Sequence, residues 1–124
     1  MSKTVLLVDD ETVVVDIAKR KLESLGFKVL FAHDGQEAVD ILSNAKPDLI
    51  VLDVQMPRMN GYTFLTELRK HPNSSVAATP VVVVTAYAEN NPIFIRHGIK
   101  AYLLKPLKLE QLVGKVQELL SAAK

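Results

Sequence analysis

The chain contains no cysteine among its 124 residues. That absence excludes a disulfide framework and a thiolate metal site, and it fits a reducing compartment. No stretch approaches the ~18 consecutive apolar residues needed to span a bilayer. The opening Met1-Ser2-Lys3-Thr4 is followed by an apolar run too short for the core of a signal peptide. A marked excess of either acidic or basic residues is also missing. The formal net charge is +1, with lysines and arginines scattered, so electrostatics points to no direct nucleic-acid or membrane partner. Internal repeats, linkers and low-complexity segments are absent as well. What remains is 48% hydrophobic and 23% charged, the balance of one globular domain large enough to bury a core. The expectation is a single cytoplasmic domain over residues 1–124, with no output domain after the closing Ser121-Ala122-Ala123-Lys124.

Two residue patterns alternate along the chain. Val5-Leu6-Leu7-Val8, Leu49-Ile50-Val51-Leu52 and Val81-Val82-Val83-Val84 are short continuous apolar runs. Such runs suit strands buried on both faces of a parallel sheet. Lys28 to Ala32 and Ala101 to Leu104 are weaker strand candidates. Between them lie stretches with helical spacing. Val14, Ala18, Leu22 and Leu25 share one face, with Gly26 as the stop. Asp34 with Glu37 three positions on reads as a capping box opening a second helix. Asn60 opens a third, carrying Tyr62, Leu65 and Leu68 up to Pro72, and Asn73 to Thr79 reads as a loop. A fourth helix, short or irregular because of Asn90-Asn91-Pro92, is expected from Glu89 to His97. The last carries Leu109, Leu112, Val113, Val116, Leu119 and Leu120 on one stripe. Strict alternation of strand and helix argues for an α/β fold, an open, doubly wound parallel sheet.

The polar residues fall where the strands end. The first strand is followed by Asp9-Asp10, the third by Asp53, the fourth by Thr85 and the fifth by Lys105. In a parallel sheet these carboxyl ends share one edge, where ligands of such folds bind. Three carboxylates, a hydroxyl and an ammonium therefore converge from distant parts of the chain. Carboxylates packed together repel unless a cation intervenes, and oxygen-only ligands suit Mg²⁺ rather than zinc. With Mg²⁺ and Lys105 the formal charges cancel, leaving a site able to receive a phosphoryl group on a carboxylate nucleophile. His33, His71 and His97 have no ligand spacing and read as surface or packing residues.

Val8-Asp9-Asp10-Glu11, Leu52-Asp53-Val54-Gln55-Met56-Pro57 with Asn60-Gly61, Thr85-Ala86, and Tyr102-Leu103-Leu104-Lys105-Pro106 resemble the motifs of the response-regulator receiver domain. The resemblance covers essentially the whole chain. It implies a flavodoxin-like sheet of five strands in the order 2-1-3-4-5 with five helices. It further implies that Asp53 is the phosphoacceptor, and that Asp9, Asp10, Asp53 and the Gln55 carbonyl hold Mg²⁺. It implies too that Lys105 pairs with the phosphoryl oxygens and that the Lys105–Pro106 bond is cis. Thr85 and Tyr102 form the switch pair, and Gln55 and Tyr87 tune hydrolysis of the aspartyl phosphate. The implied donor is a phosphohistidine on a sensor histidine kinase or histidine phosphotransfer protein, and a downstream effector protein reads the result. Such a chain is a phosphoacceptor rather than an enzyme acting on a separate substrate.

Three other functions meet obstacles of different weight. An aspartate-nucleophile phosphatase would want a second aspartate where Gln55 stands. A flavin-binding protein of the same fold would want a Gly/Ser/Thr-rich loop where Asp9-Asp10-Glu11 stands. An interaction module that never uses its acidic site differs only in behaviour, so phosphorylation itself discriminates it.

Overall fold

The computed structural model describes residues 3–53, 61–85, 99, 101–104 and 108–122. In chain order these form β1 (Thr4–Val8), α1 (Thr12–Ser24), β2 (Lys28–Ala32), α2 (Gly35–Leu42) and β3 (Leu49–Asp53). They continue with α3 (Gly61–Arg69), α4 (Ser74–Ala77), β4 (Val81–Thr85), β5 (Ala101–Leu104) and α5 (Leu109–Ala122). The strands make one five-stranded parallel sheet in the order β2-β1-β3-β4-β5, the order the resemblance implies.

The continuous apolar runs are buried on both faces because successive side chains point to opposite sides of the sheet. Leu6, Val8, Ile50, Leu52, Val81 and Val83 join one core with Ala38 and Leu42 of α2 and Phe64, Leu65 and Leu68 of α3. Val5, Leu7, Leu49, Val51, Val82 and Val84 join the other, with Val15, Ala18 and Leu22 of α1 and Leu112, Val113, Val116 and Leu120 of α5. Helices thus cover both sides of the sheet. Among the described residues, no helix is long and apolar enough to cross a membrane.

Local chemistry sets the helix ends. Gly26 takes φ 95°, where a Cβ is disfavoured. Its N–H donates to the Glu23 carbonyl at 3.0 Å and the Phe27 N–H to the Leu22 carbonyl at 3.1 Å, the paired bonds of a Schellman close. At α2 the Asp34 carboxylate accepts the Glu37 N–H at 2.9 Å. The return bond differs from the expected box, because Glu37 Oε1 accepts the N–H of His33, at 3.1 Å, one residue before the cap.

Two expectations need correction, and three fall outside the described residues. Among the described side chains the buried stripe of α1 is Val15, Ala18 and Leu22, while Leu25 is 40% exposed and the Val14 side chain lies outside those described. Leu25 already lies past the last helical residue, where the chain turns into Gly26. The segment read as a loop from Asn73 to Thr79 contains α4. The Asn73 side chain caps it by accepting the Ser75 N–H at 2.9 Å, and Val76 packs into the core. Arg69 then donates from Nη1 to the carbonyls of Ala77 and Thr79, both at 2.8 Å. Burial lowers the Arg69 pKa from its ordinary value by desolvating the charge, and these two carbonyls offset part of that cost. The helix expected from Glu89 to His97, the Asn60 start of α3 and the Lys105–Pro106 bond lie outside the described residues.

Candidate functional site

The sheet order places the chain reversal between β1 and β3, since β2 lies on one side of β1 and β4 on the far side of β3. Val8 pairs with Leu52 in register, so Asp9 and Asp53 are the next positions along the same edge. Asp53 is the last residue of β3 and only 1% exposed. The Asp9 N–H donates to the Ala32 carbonyl at 3.0 Å, continuing the β1–β2 ladder one step past the strands. The chain then turns tightly. Asp9 Oδ1 accepts the Glu11 N–H at 2.9 Å, the local side-chain turn that aspartate favours. The Val15 N–H donates to the Glu11 carbonyl at 3.1 Å and α1 is under way.

This turn brings Asp9, Asp10 and Glu11 against Asp53. One carboxylate oxygen from each lies within 4.8 Å of the others. Like charges at such separations repel, by up to about 1 kcal/mol per pair where the groups are exposed to water. A cation removes that repulsion. For an octahedral ion with ligands at about 2.1 Å, opposite ligands lie about 4.2 Å apart, close to the spread seen here. All four donors are hard oxygens, the set that suits Mg²⁺ over softer metals. Beneath the cluster, Val15, Ala18, Val51 and Leu112 line a void of about 20 Å³ that also touches Asp9 and Asp53. The floor of the site is therefore apolar, which strengthens the field of the charges above it. A wider groove of about 490 Å³ runs along α1 beside Phe31 and His33 and contains none of the four clustered acids.

The structure thus gathers the three expected aspartates and adds Glu11, whose place directly after Asp10 was the available signal. Thr85 ends β4 beside Leu104, and Tyr102 sits in β5 opposite Val83; their side chains are not among those described. Gln55, Tyr87 and Lys105 lie outside the described residues. His33 packs edge-on against Phe31 at 5.3 Å, and His71 Nδ1 accepts the Asn73 N–H at 3.0 Å. Neither belongs to the acidic cluster, and His97 lies outside the described residues.

Comparison with known proteins agrees with this geometry. Response regulator MprA of Mycobacterium bovis is 36% identical over 126 aligned residues, covering 100% of this chain and 53% of that protein. The chain therefore spans about half the length of such relatives. The chemotaxis response regulator CheY4 of Vibrio cholerae superposes with a TM-score of 0.86 at 29% identity, over 95% of this chain and 98% of that one. The receiver domain of the sensor histidine kinase PA1611 from Pseudomonas aeruginosa superposes with a TM-score of 0.80 at 29% identity, over 95% of this chain and 97% of that one. That domain carries a magnesium ion coordinated in its active-site cleft. The response regulator receiver domain profile matches residues 5–117, and with the sheet order and the strand-end acids this makes the chain a member of the response regulator receiver domain family, a signalling module of two-component systems.

Proposed function

We propose that the chain is a phosphoryl-accepting switch in which Asp53 takes a phosphoryl group from a phosphohistidine. The observation that carries this reading is the convergence of Asp9, Asp10 and Asp53 from two strand ends, with Glu11 beside them. In the transfer, an Asp53 oxygen bonds to phosphorus as the phosphorus–nitrogen bond breaks. The bonding pair leaves on the donor imidazole, which takes up a proton from water. Asp9, Asp10, Asp53 and the Gln55 carbonyl would hold Mg²⁺, and Glu11 adds a fifth oxygen donor nearby. The bound ion supplies positive charge against the charge that develops on the phosphoryl oxygens. Lys105 contributes a second cation to the same oxygens.

Phosphorylation gives Asp53 about −1.5 to −2 charge and three acceptor oxygens. The Thr85 hydroxyl donates to one of them, and Tyr102 follows that shift toward the surface read by a downstream effector protein. Population moves only as far as this differential contact allows. Gln55 and Tyr87 tune hydrolysis, Tyr87 by shielding the phosphoryl group from water. The donor is a sensor histidine kinase or a histidine phosphotransfer protein in the cytoplasm, and neither nucleic acid nor membrane is contacted directly.

Beryllofluoride with Mg²⁺ stands in for the bound phosphoryl group. Added to isotope-labelled protein, the pair is expected to move the amide resonances of Asp53, Thr85 and the turn at Asp9 to Glu11. An unmoved Asp53 resonance overturns the reading.

A further inference from the structure

We propose that Glu37 is a positioning residue for the acidic cluster, acting through the peptide group that joins Ala32 to His33. Its carboxylate sits in the first turn of α2, fixed there because the Glu37 N–H is held by Asp34 Oδ1 at 2.9 Å. Glu37 Oε1 accepts both the backbone N–H of His33 and its ring Nδ1, each at 3.1 Å. The His33 N–H and the Ala32 carbonyl belong to one planar peptide unit. That same carbonyl accepts the Asp9 N–H at 3.0 Å. A continuous chain of hydrogen bonds therefore runs from the Asp9 amide, through one rigid peptide, to a carboxylate on another element. Donation from His33 to an ionised acceptor polarises the Ala32 carbonyl and strengthens its hold on Asp9.

The consequence reaches the site because Asp9 opens the turn carrying three of the four clustered acids. Asp9 Oδ1 in turn holds the Glu11 N–H at 2.9 Å. Fixing the Asp9 amide fixes where Asp9, Asp10 and Glu11 leave the sheet relative to Asp53. Glu37 is not among the four clustered acids, so it acts on the cluster through the Ala32–His33 peptide and not as a ligand.

This inference rests on the cluster being a Mg²⁺ site, and its test separates the two claims. Mg²⁺ affinity is measured by calorimetric titration of the full chain, together with hydrogen exchange of the Asp9 amide in metal-free protein. Glu37→Ala is expected to weaken Mg²⁺ binding about tenfold and Glu37→Gln, which keeps an acceptor oxygen, by about twofold at most. Asp9 exchange is expected to speed up in Glu37→Ala and far less in Glu37→Gln. Asn73→Ala, which removes a helix cap elsewhere in the fold, controls for lost stability and is expected to leave both readouts at wild-type values. Equal weakening in Glu37→Ala and Glu37→Gln would assign the effect to lost charge and overturn the proposal. So would unchanged Asp9 exchange in Glu37→Ala, or an Asn73→Ala variant that loses as much affinity. If the unaltered chain bound no Mg²⁺, the metal reading would fall, while the exchange measurement would still decide the role of Glu37.

Discussion

Thr4 and Asp48, 44 positions apart, hold each other by two hydrogen bonds. The Thr4 N–H donates to Asp48 Oδ2 at 2.8 Å, and the Asp48 N–H donates to the Thr4 carbonyl at 2.8 Å. The pair sits where β1 and β3 begin and sets their register, which fixes Asp9 against Asp53 at the far end. Asp48→Ala is therefore expected to cost about 1.5–3 kcal/mol, the range for losing a hydrogen bond to a charged acceptor. Urea unfolding checks this, and an unchanged midpoint would show that the remaining ladder sets the register unaided.

Arg69 ties the end of α3 to the chain entering β4 through the Ala77 and Thr79 carbonyls. Arg69→Met keeps most of the apolar stem and removes the donors. A loss of roughly 1.5–3 kcal/mol is expected, since both carbonyls lose a charged donor. Thermal unfolding measures it, and Arg69→Lys should recover only part because an ammonium lacks the planar fork.

Gly26 separates strain from crowding. A Cβ built there meets no atom within 4 Å, yet φ is +95°. Gly26→Ala should cost about 1–2 kcal/mol from backbone conformation alone. Gly26→Asn should cost less, because asparagine tolerates the left-handed region better. Equal losses for the two variants would count against a conformational cause.

Repulsion in the acidic cluster has a sign that can be read. Asp10 is exposed and lies within the group of four. Neutralising it as Asp10→Asn should stabilise the metal-free protein by about 0.5–1 kcal/mol at low salt. Mg²⁺ should then raise the melting temperature of the unaltered chain more than that of the variant, as ligand linkage requires. A variant less stable than the parent without metal would mean that repulsion is already relieved within the protein.

The alternation of strands and helices was legible because the apolar runs at Val5, Leu49 and Val81 are buried on both faces, a pattern that needs helices on each side. The acids were legible for a topological reason, since parallel strands put their carboxyl ends on one edge wherever they fall in the chain. The buried face of α1 was legible at Ala18 and Leu22 but not at its two ends. Val13, Val14 and Val15 are consecutive, so the spacing fits several helical phases, and only packing selects Val15 while leaving Val13 70% exposed. Nor was α4, whose single turn is too short to stand alone and depends on Asn73 and Arg69 for its capping. The return bond of Glu37 went to His33 because the bend ahead of α2 presents that N–H to the carboxylate, which residue spacing alone does not encode. Glu11 was in view beside Asp10, but its entry into the cluster depends on the turn that Asp9 makes with its own side chain.

Intact-mass analysis after incubation with Mg²⁺ and acetyl phosphate, followed by peptide mapping, puts the phosphoryl-acceptor role to the test most directly. The expected result is one phosphoryl group on Asp53, absent from Asp53→Asn and absent when the metal is chelated. A chain that stays unmodified with both reagents present, or that carries the group at another residue, would contradict it.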